Sequence, residues 1–256
     1  MKYYAVLLLL LLSGTTSYPQ GNKEIRVEYK MFCDTDVPLK YQTLLWIKNS
    51  IAIYQEKSST TDRWIEKPTQ IEIDPQKLKS NYEPYIKTDN AKKELLFFDA
   101  IGKNIVIVKD TYTDLKWTIS KESKQIAGYN CIKATTVYRG REWEAWFTPD
   151  VPVPFGPWKL HGLPGLILQA NDSTNMYAFT AVKIENINSG IFDKDFSSLM
   201  TVSTKKPIAI KKFIDDINEA RDNADKMLTA TSNDGVVLTV KKEPRNGLEL
   251  VYEWEK

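Results

Sequence analysis

Short segments rich in β-branched and aromatic residues, separated by turn residues, recur along this chain and constrain its fold more than any other feature. The links between most of them are too short to hold a crossover helix, so consecutive strands must pair antiparallel. The predicted strands are Ile25–Phe32, two within Thr43–Lys57, two within Glu94–Val108, Leu115–Ser120, Tyr129–Tyr138, Arg141–Phe147, Leu166–Ala170 and Met176–Ile184. The sequence therefore predicts a mainly β fold, an antiparallel meander.

Alternation within the strands predicts one buried face and one wet face. Trp143, Ala145 and Phe147 fall on one side of their strand, and Glu142 and Glu144 fall on the other. The preceding strand has a matching less polar face, formed by Ile132, Ala134, Thr136 and Tyr138. This pattern is typical of a curved sheet wrapped around a core, either a half-barrel or an incomplete barrel.

The segment after Pro207 departs from the strand pattern. Apolar residues recur there at helical spacing, with charges between them, and proline suits a first helical turn. We expect one amphipathic C-terminal helix that packs on the concave side of the sheet. The stretches Asp234–Lys242 and Leu248–Trp254 are predicted to form a closing strand pair. Since the chain shows no internal repeat and no long linker, residues 18–256 are expected to form a single domain.

The first 17 residues have the layout of a secretory signal peptide. One charge, Lys2, precedes an apolar run from Ala5 to Leu12, which small polar residues follow. Cleavage after Ser17 fits the small-residue rule, and a cut as late as Gln20 is also compatible. The sequence near this boundary lacks a cysteine for a lipid anchor, and later segments are too polar for a membrane span. We therefore expect an exported protein, periplasmic or extracellular, that is soluble after signal cleavage.

Charge and cysteine content narrow the partners and the chemistry. The chain has 35 Lys and Arg against 33 Asp and Glu, with no basic block, which argues against nucleic-acid binding. It has two cysteines, Cys33 and Cys131. In an oxidising compartment an even number of cysteines favours a disulfide, and the alternative is two buried free thiols. We predict that the two cysteines are bonded.

The stretch VPVPFGPWKLHGLPGLILQA, Val151–Ala170, combines the most rigid and the most flexible residues in one apolar segment, which we call the proline-rich loop. Pro164 and Gly165 fit the two central positions of a type II turn, the second of which needs a positive φ. The large apolar residues would form an unusually large exposed patch unless they packed inward or covered something. One interpretation is that the loop plugs an open edge or end of the sheet. The other is that it forms an apolar platform for a ligand or a partner.

Within the loop, GPWKLHGLPGLILQA, preceded by AWFTPDVPVP and IAGYNCIKA, resembles the GLPGLI family of exported proteins from Bacteroidota. The hexapeptide Gly162–Ile167 reproduces the sequence for which that family is named. The resemblance implies export from a Gram-negative cell and a role in the envelope, and it implies no activity. The candidate site residues that it marks are Trp158, His161, Gly162, Leu163, Pro164, Gly165, Leu166 and Ile167. The plan of a half-barrel with a helix is also similar to that of periplasmic lipoprotein carriers of the LolA kind.

The residue inventory favours binding over catalysis. His161 is the single histidine, and the chain has no GxSxG motif in which a nucleophilic serine would be activated. A zinc site needs three or four ligands, more than the histidine and cysteines supply. We therefore predict no catalytic, metal or cofactor residues and no cofactor. The expected function is non-catalytic binding of an apolar small molecule or of another envelope polypeptide. The alternative is a periplasmic hydrolase that uses acidic catalytic residues, whose pairing in space a sequence does not reveal.

Overall fold

The computed structural model describes residues 24–34, 38–57, 83–188, 191–230 and 245–255. The predicted signal peptide and the predicted strand Asp234–Lys242 lie outside these residues. The strands are β1 Glu24–Cys33, β2 Leu39–Lys48, β3 Ile51–Glu56, β4 Tyr85–Asp89, β5 Glu94–Ile101, β6 Asn104–Asp110, β7 Thr118–Ile126, β8 Tyr129–Tyr138, β9 Arg141–Thr148, β10 Leu166–Asp172, β11 Tyr177–Ile187 and β12 Thr204–Ala209. One α-helix, α1, spans Ile210–Ala230, and short 3₁₀ helices cover Ile191–Asp193, Phe196–Leu199 and Glu253–Glu255.

The twelve strands form one sheet in the order β12-β6-β5-β4-β3-β2-β1-β11-β10-β9-β8-β7. Neighbouring strands pair antiparallel, except that β12 pairs parallel with β6. The sheet does not close, so β12 and β7 are its edges, and α1 packs on it. The predicted fold, an antiparallel β meander forming an incomplete barrel with one helix, is confirmed.

The main core lies on the face of the sheet that α1 covers. Trp143, Ala145 and Phe147 of β9 are buried there, as their alternation predicts. The core also receives the helix, because Phe213 meets Phe97 of β5 edge to face at 5.8 Å between ring centroids. The opposite face carries two smaller clusters, which the segment containing the first two 3₁₀ helices covers. Both faces of β2, β3 and β5 therefore hold buried apolar residues.

The helix begins three residues later than the sequence predicts. Pro207 lies in β12, and α1 starts at Ile210. Because β12 is an edge strand, it tolerates a residue that cannot donate a backbone hydrogen bond. Sequence analysis missed this strand and β4, and it placed the start of β7 three residues too early.

The C-terminal segment, residues 245–255, contains none of the strand predicted for Leu248–Trp254. Two backbone hydrogen bonds attach it to the sheet, since the amides of Leu250 and Val251 both donate to the carbonyl of Arg139, at 2.8 and 3.1 Å. Arg139 is in the turn that joins β8 to β9. A turn, rather than a neighbouring strand, therefore anchors this segment.

The predicted disulfide is wrong, because Cys33 and Cys131 are both free and buried. Cys33 ends β1 and Cys131 lies in β8, with β11, β10 and β9 between them in the sheet. Strands lie about 4.8 Å apart, whereas the two Cα atoms of a disulfide must be within roughly 7 Å. The alternative of two buried thiols describes the structure.

Among the described residues, none of the helices combines the length and the apolar character that crossing a membrane requires.

Candidate functional site

The proline-rich loop follows β9, which ends at Thr148, and its last residues, from Leu166 on, belong to β10. Between the two strands the chain folds back on itself. The amide of Phe155 donates to the carbonyl of Val153 at 2.9 Å, and that of Gly162 donates to the carbonyl of Pro154 at 3.0 Å. The prolines fix φ in the extended arm of this fold. The large apolar side chains of the loop all point into the core: Phe155, Trp158, Leu160, Leu163, Leu166, Ile167 and Leu168.

The two glycines of the hexapeptide are required for different reasons. Gly162 has φ +93°, in the left-handed region that favours glycine. Gly165 is outside that region, and its amide donates to the carbonyl of Leu163 at 2.8 Å, a tight turn around Pro164. The predicted type II turn is therefore wrong. Gly165 is needed because an added Cβ would lie 2.6 Å from the carbonyl carbon of Thr148, and closer still to its oxygen.

His161 is a buried part of the loop. The carbonyl of Lys159 accepts a hydrogen bond from its Nδ1 at 2.8 Å, and Trp117 donates its Nε1–H to the carbonyl of His161 at 2.8 Å. The ring of Tyr112 lies 4.7 Å from the imidazole, centroid to centroid. Burial lowers the pKa of His161, so the ring is neutral at pH 7. These contacts fit a loop residue that is bonded locally.

A cavity of about 670 Å³ lies between α1, the covered face of the sheet, the proline-rich loop and the C-terminal segment. Its size is within the range of small-molecule sites, roughly 300–1,000 Å³. The apolar part of its wall consists of Pro84, Ile86, Phe97, Phe98, Trp158, Ile210, Phe213, Ile214, Ile217, Leu248 and Tyr252. The charged part consists of Glu56, Asp99, Lys159, Arg221, Arg245 and Glu249. The cavity is thus lined by both apolar and charged groups, with equal numbers of positive and negative side chains.

A buried charge cluster adjoins this cavity. Arg139 donates two hydrogen bonds to Asp110, from Nη2 to Oδ1 at 2.6 Å and from Nη1 to Oδ2 at 3.0 Å. Lys159 Nζ lies 2.6 Å from Asp110 Oδ2 and 2.8 Å from Glu249 Oε1. Arg139 also bonds Glu249, and it bonds Glu253 at 3.0 Å. These five residues come from β6, the β8–β9 turn, the loop and the C-terminal segment.

The cluster keeps Asp110 and Lys159 charged. Burial alone would raise the pKa of Asp110, but the Lys159 ammonium and the Arg139 guanidinium outweigh it and hold that pKa below its usual range. Burial would lower the pKa of Lys159, but the carboxylates of Glu249 and Asp110 raise it above its usual value. At pH 7 these groups therefore form a network of buried ion pairs.

A second buried pair attaches the same segment to the sheet. Arg141 Nη1 lies 2.7 Å from Asp172 Oδ2, and both side chains are almost fully buried. Its Nη2 and Nε donate to the carbonyls of Asn246 and Gly247, at 2.9 and 2.8 Å. Arg139 and Arg141, on either side of Gly140, thus position the part of the C-terminal segment that lines the cavity.

The structure brings Trp158 to the cavity wall, whereas His161 and the hexapeptide Gly162–Ile167 lie outside it. Sequence analysis missed the charge cluster. One signal was present: Lys159 is the single lysine in a loop that is otherwise apolar apart from His161 and Gln169. Within the described part of the chain, His, Cys, Asp and Glu do not form a group that could hold a metal ion.

Comparisons with known proteins point to one group. A profile of the family described as "N-glycanase peptide, N-terminal domain" matches residues 46–205. This family differs from the GLPGLI family that the hexapeptide resembles. A search of curated protein sequences gave no match.

Two solved structures of PNGF-II, in space groups P21 and C2, are similar to the chain, with TM-scores of 0.53 and 0.52 and sequence identities of 17% and 19%. Each similarity covers 78% of this chain, and 34% and 33% of the PNGF-II chains. The chain thus spans about a third of their length. A LolA superfamily protein from Nitrosomonas europaea matches at a TM-score of 0.27 and 7% identity, over 66% of this chain and 87% of that one.

Proposed function

The chain belongs to the family of the N-glycanase peptide N-terminal domain, and we propose that it is an exported, non-catalytic binding domain whose cavity receives a ligand with an apolar body. The family description names a glycanase. We assign this chain a role in binding rather than in hydrolysis. The leader sequence supports a periplasmic or extracellular location, and the hexapeptide supports a place among GLPGLI-type proteins of Bacteroidota. The proposed domain spans residues 18–256.

The preformed cavity carries this proposal. Its wall includes the inner face of α1, where Ile214 and Ile217 are only half-buried. Apolar side chains that face a cavity regain the contacts of a packed core when a ligand fills it. An apolar small molecule or an apolar stretch of a partner polypeptide would gain affinity from the same surface.

The alternative of a hydrolase with acidic catalytic residues has weaker support. Asp110 and Glu249 approach each other, but Lys159 and Arg139 bridge their carboxylates. A general acid needs a pKa raised toward the working pH, and the pKa of Asp110 is lowered. Their arrangement suits an ionic link better than proton transfer.

Filling the cavity tests the proposal. Nile red is a neutral apolar dye, and we expect its fluorescence to rise on binding to the protein. The Ile217→Trp variant places a large side chain in the cavity and should abolish most of that rise. Glu219→Trp puts the same side chain on the exposed side of α1 and should leave it unchanged. Equal dye binding by the wild type and by Ile217→Trp would refute a ligand site in this cavity.

A further inference from the structure

The carboxylate of Glu249 occupies an anion position in the cavity wall. Lys159 Nζ lies 2.8 Å from its Oε1, and Arg139 binds the same oxygen. The hydroxyl of Tyr252 donates to Oε2 at 3.3 Å. Two cations and a hydroxyl thus contact one carboxylate at the wall of the cavity.

Of the two carboxylates that bind Lys159, Glu249 is easier to displace than Asp110. Asp110 and Arg139 are fixed at the end of β6 and in the β8–β9 turn, and their side chains are 0% and 1% exposed. Glu249 belongs to a segment outside the sheet, and its side chain is 13% exposed. Rotating the Glu249 side chain away would leave the Asp110–Arg139 pair intact, whereas moving Asp110 would disrupt the end of a strand.

Loss of the Glu249 carboxylate would leave the Lys159 ammonium without one of its two anionic partners. Lys159 is 4% exposed and would keep a single carboxylate partner, Asp110, which it shares with Arg139. The fifth member of the cluster, Glu253, contacts Arg139 alone, and its side chain is 38% exposed. A buried ammonium that loses one of two partners is strongly destabilised unless another negative group replaces it.

Apolar surface continues directly from this anion position. Lys159 Nζ lies 4.5 Å from the ring centroid of Phe97 and 5.7 Å from that of Trp158, and both rings line the cavity. A ligand whose negative group lies at Lys159 would therefore place its apolar body against these rings.

From this arrangement we infer that the ligand of the cavity is an acid with an apolar body, whose carboxylate takes the position that Glu249 fills in the free protein. Glu249 is then an internal competitor of the ligand. This inference rests on the proposed function of the cavity. If Glu249 competes with the ligand, removing its charge should strengthen binding of an acid. If Glu249 serves only to stabilise the fold, removing its charge should not.

The test uses dansylaminoundecanoic acid and its methyl ester, which differ by one negative charge. We expect Glu249→Gln to bind the acid at least about tenfold more tightly than the wild type does, since a charged hydrogen-bonding site becomes free. Affinity for the ester should stay within about twofold. Glu122→Gln is the matched control, because it removes one carboxylate charge from an exposed ion pair with Lys133, outside both the charge cluster and the cavity wall. It should leave the affinities for both probes unchanged.

The outcomes separate the two proposals. If neither probe binds to the wild type or to Glu249→Gln, the cavity is not a ligand site and the proposed function fails. If both probes bind but Glu249→Gln affects acid and ester equally, or weakens binding of the acid, the anion position is structural and this inference is overturned. Glu249→Ala gives the same reading if the glutamine variant does not fold, as judged by circular dichroism.

Discussion

Gly165→Ala should be among the most destabilising single substitutions in the hexapeptide, although it adds one methyl group. That Cβ would lie 2.6 Å from the carbonyl carbon of Thr148 and 3.0 Å from the nitrogen of Pro149. Both atoms are backbone, and Thr148 pairs with Leu166 across β9 and β10, so neither strand can move without breaking the ladder. Overpacking costs about 1–3 kcal/mol where side chains can adjust. Here we expect a loss of at least about 3 kcal/mol in the free energy of unfolding.

Gly162→Ala is the matched control for this effect. Gly162 has φ +93°, but the nearest atom to an added Cβ is Trp117 Nε1, at 3.9 Å. Its cost is therefore conformational, about 1–2 kcal/mol, and the lower entropy of the unfolded variant offsets part of it. Urea titrations followed by tryptophan fluorescence would compare the two variants through their midpoints at a common m-value. If Gly165→Ala is no more destabilising than Gly162→Ala, the argument from close approach is wrong.

Four further outcomes are expected. Trp158→Ala should cost roughly 3–5 kcal/mol, because the indole is core as well as cavity wall, and an unshifted melting temperature would contradict this. Asp110→Asn should cost about 3–5 kcal/mol at pH 7 in a urea titration, since it leaves buried cations underpaired. Because the pKa of Asp110 is lowered in the folded protein, its charge stabilises the fold fully above about pH 4, and this stabilisation is lost as the pH falls through that lowered pKa. Thermal melts of Asp110→Asn at decreasing pH should therefore lack this part of the acid sensitivity. Thiol labelling of the unreduced, denatured protein should modify both Cys33 and Cys131. The folded protein should react slowly, because burial raises the pKa of both thiols. If neither cysteine is labelled after denaturation, the two are bonded after all. The exported protein should lack residues 1–17 and be released by osmotic shock, and an intact leader in the cytoplasm would contradict export.

The strands could be predicted from sequence where alternation is strong and turns are short. β8 and β9 have the predicted bounds to within one residue, and the predicted inward residues are buried except Ile132, which is half-buried. Alternation fails for β12, whose sequence TKKPIA has two lysines and a proline. That strand exists because β6 offers it a free edge, and a free edge is a property of the assembled sheet. The helical periodicity after Pro207 was recognised correctly, but its first turn could not be separated from an edge strand.

The errors at single residues share one physical cause. Whether Cys33 and Cys131 meet depends on the order of strands in the sheet, and sequence spacing does not determine that order. Whether Gly165 is needed for its φ or for its missing Cβ depends on the path of Thr148, which precedes the loop. The charge cluster is the extreme case, because four separate stretches of chain contribute to it. Composition can indicate that a lysine in an apolar loop needs a partner, but it cannot identify that partner.

The large apolar side chains of the proline-rich loop pack into the core on the covered face of the sheet, and the platform interpretation stays a prediction. The open sheet leaves its covered face to be filled, and the loop fills it with side chains that its prolines hold in place. The middle of the loop reaches the cavity, where Trp158 and Lys159 form part of the wall. Substituting either residue therefore changes stability together with any binding. Binding is better tested at Glu249 and Ile217, which line the same cavity from the C-terminal segment and from α1 and are not part of the loop.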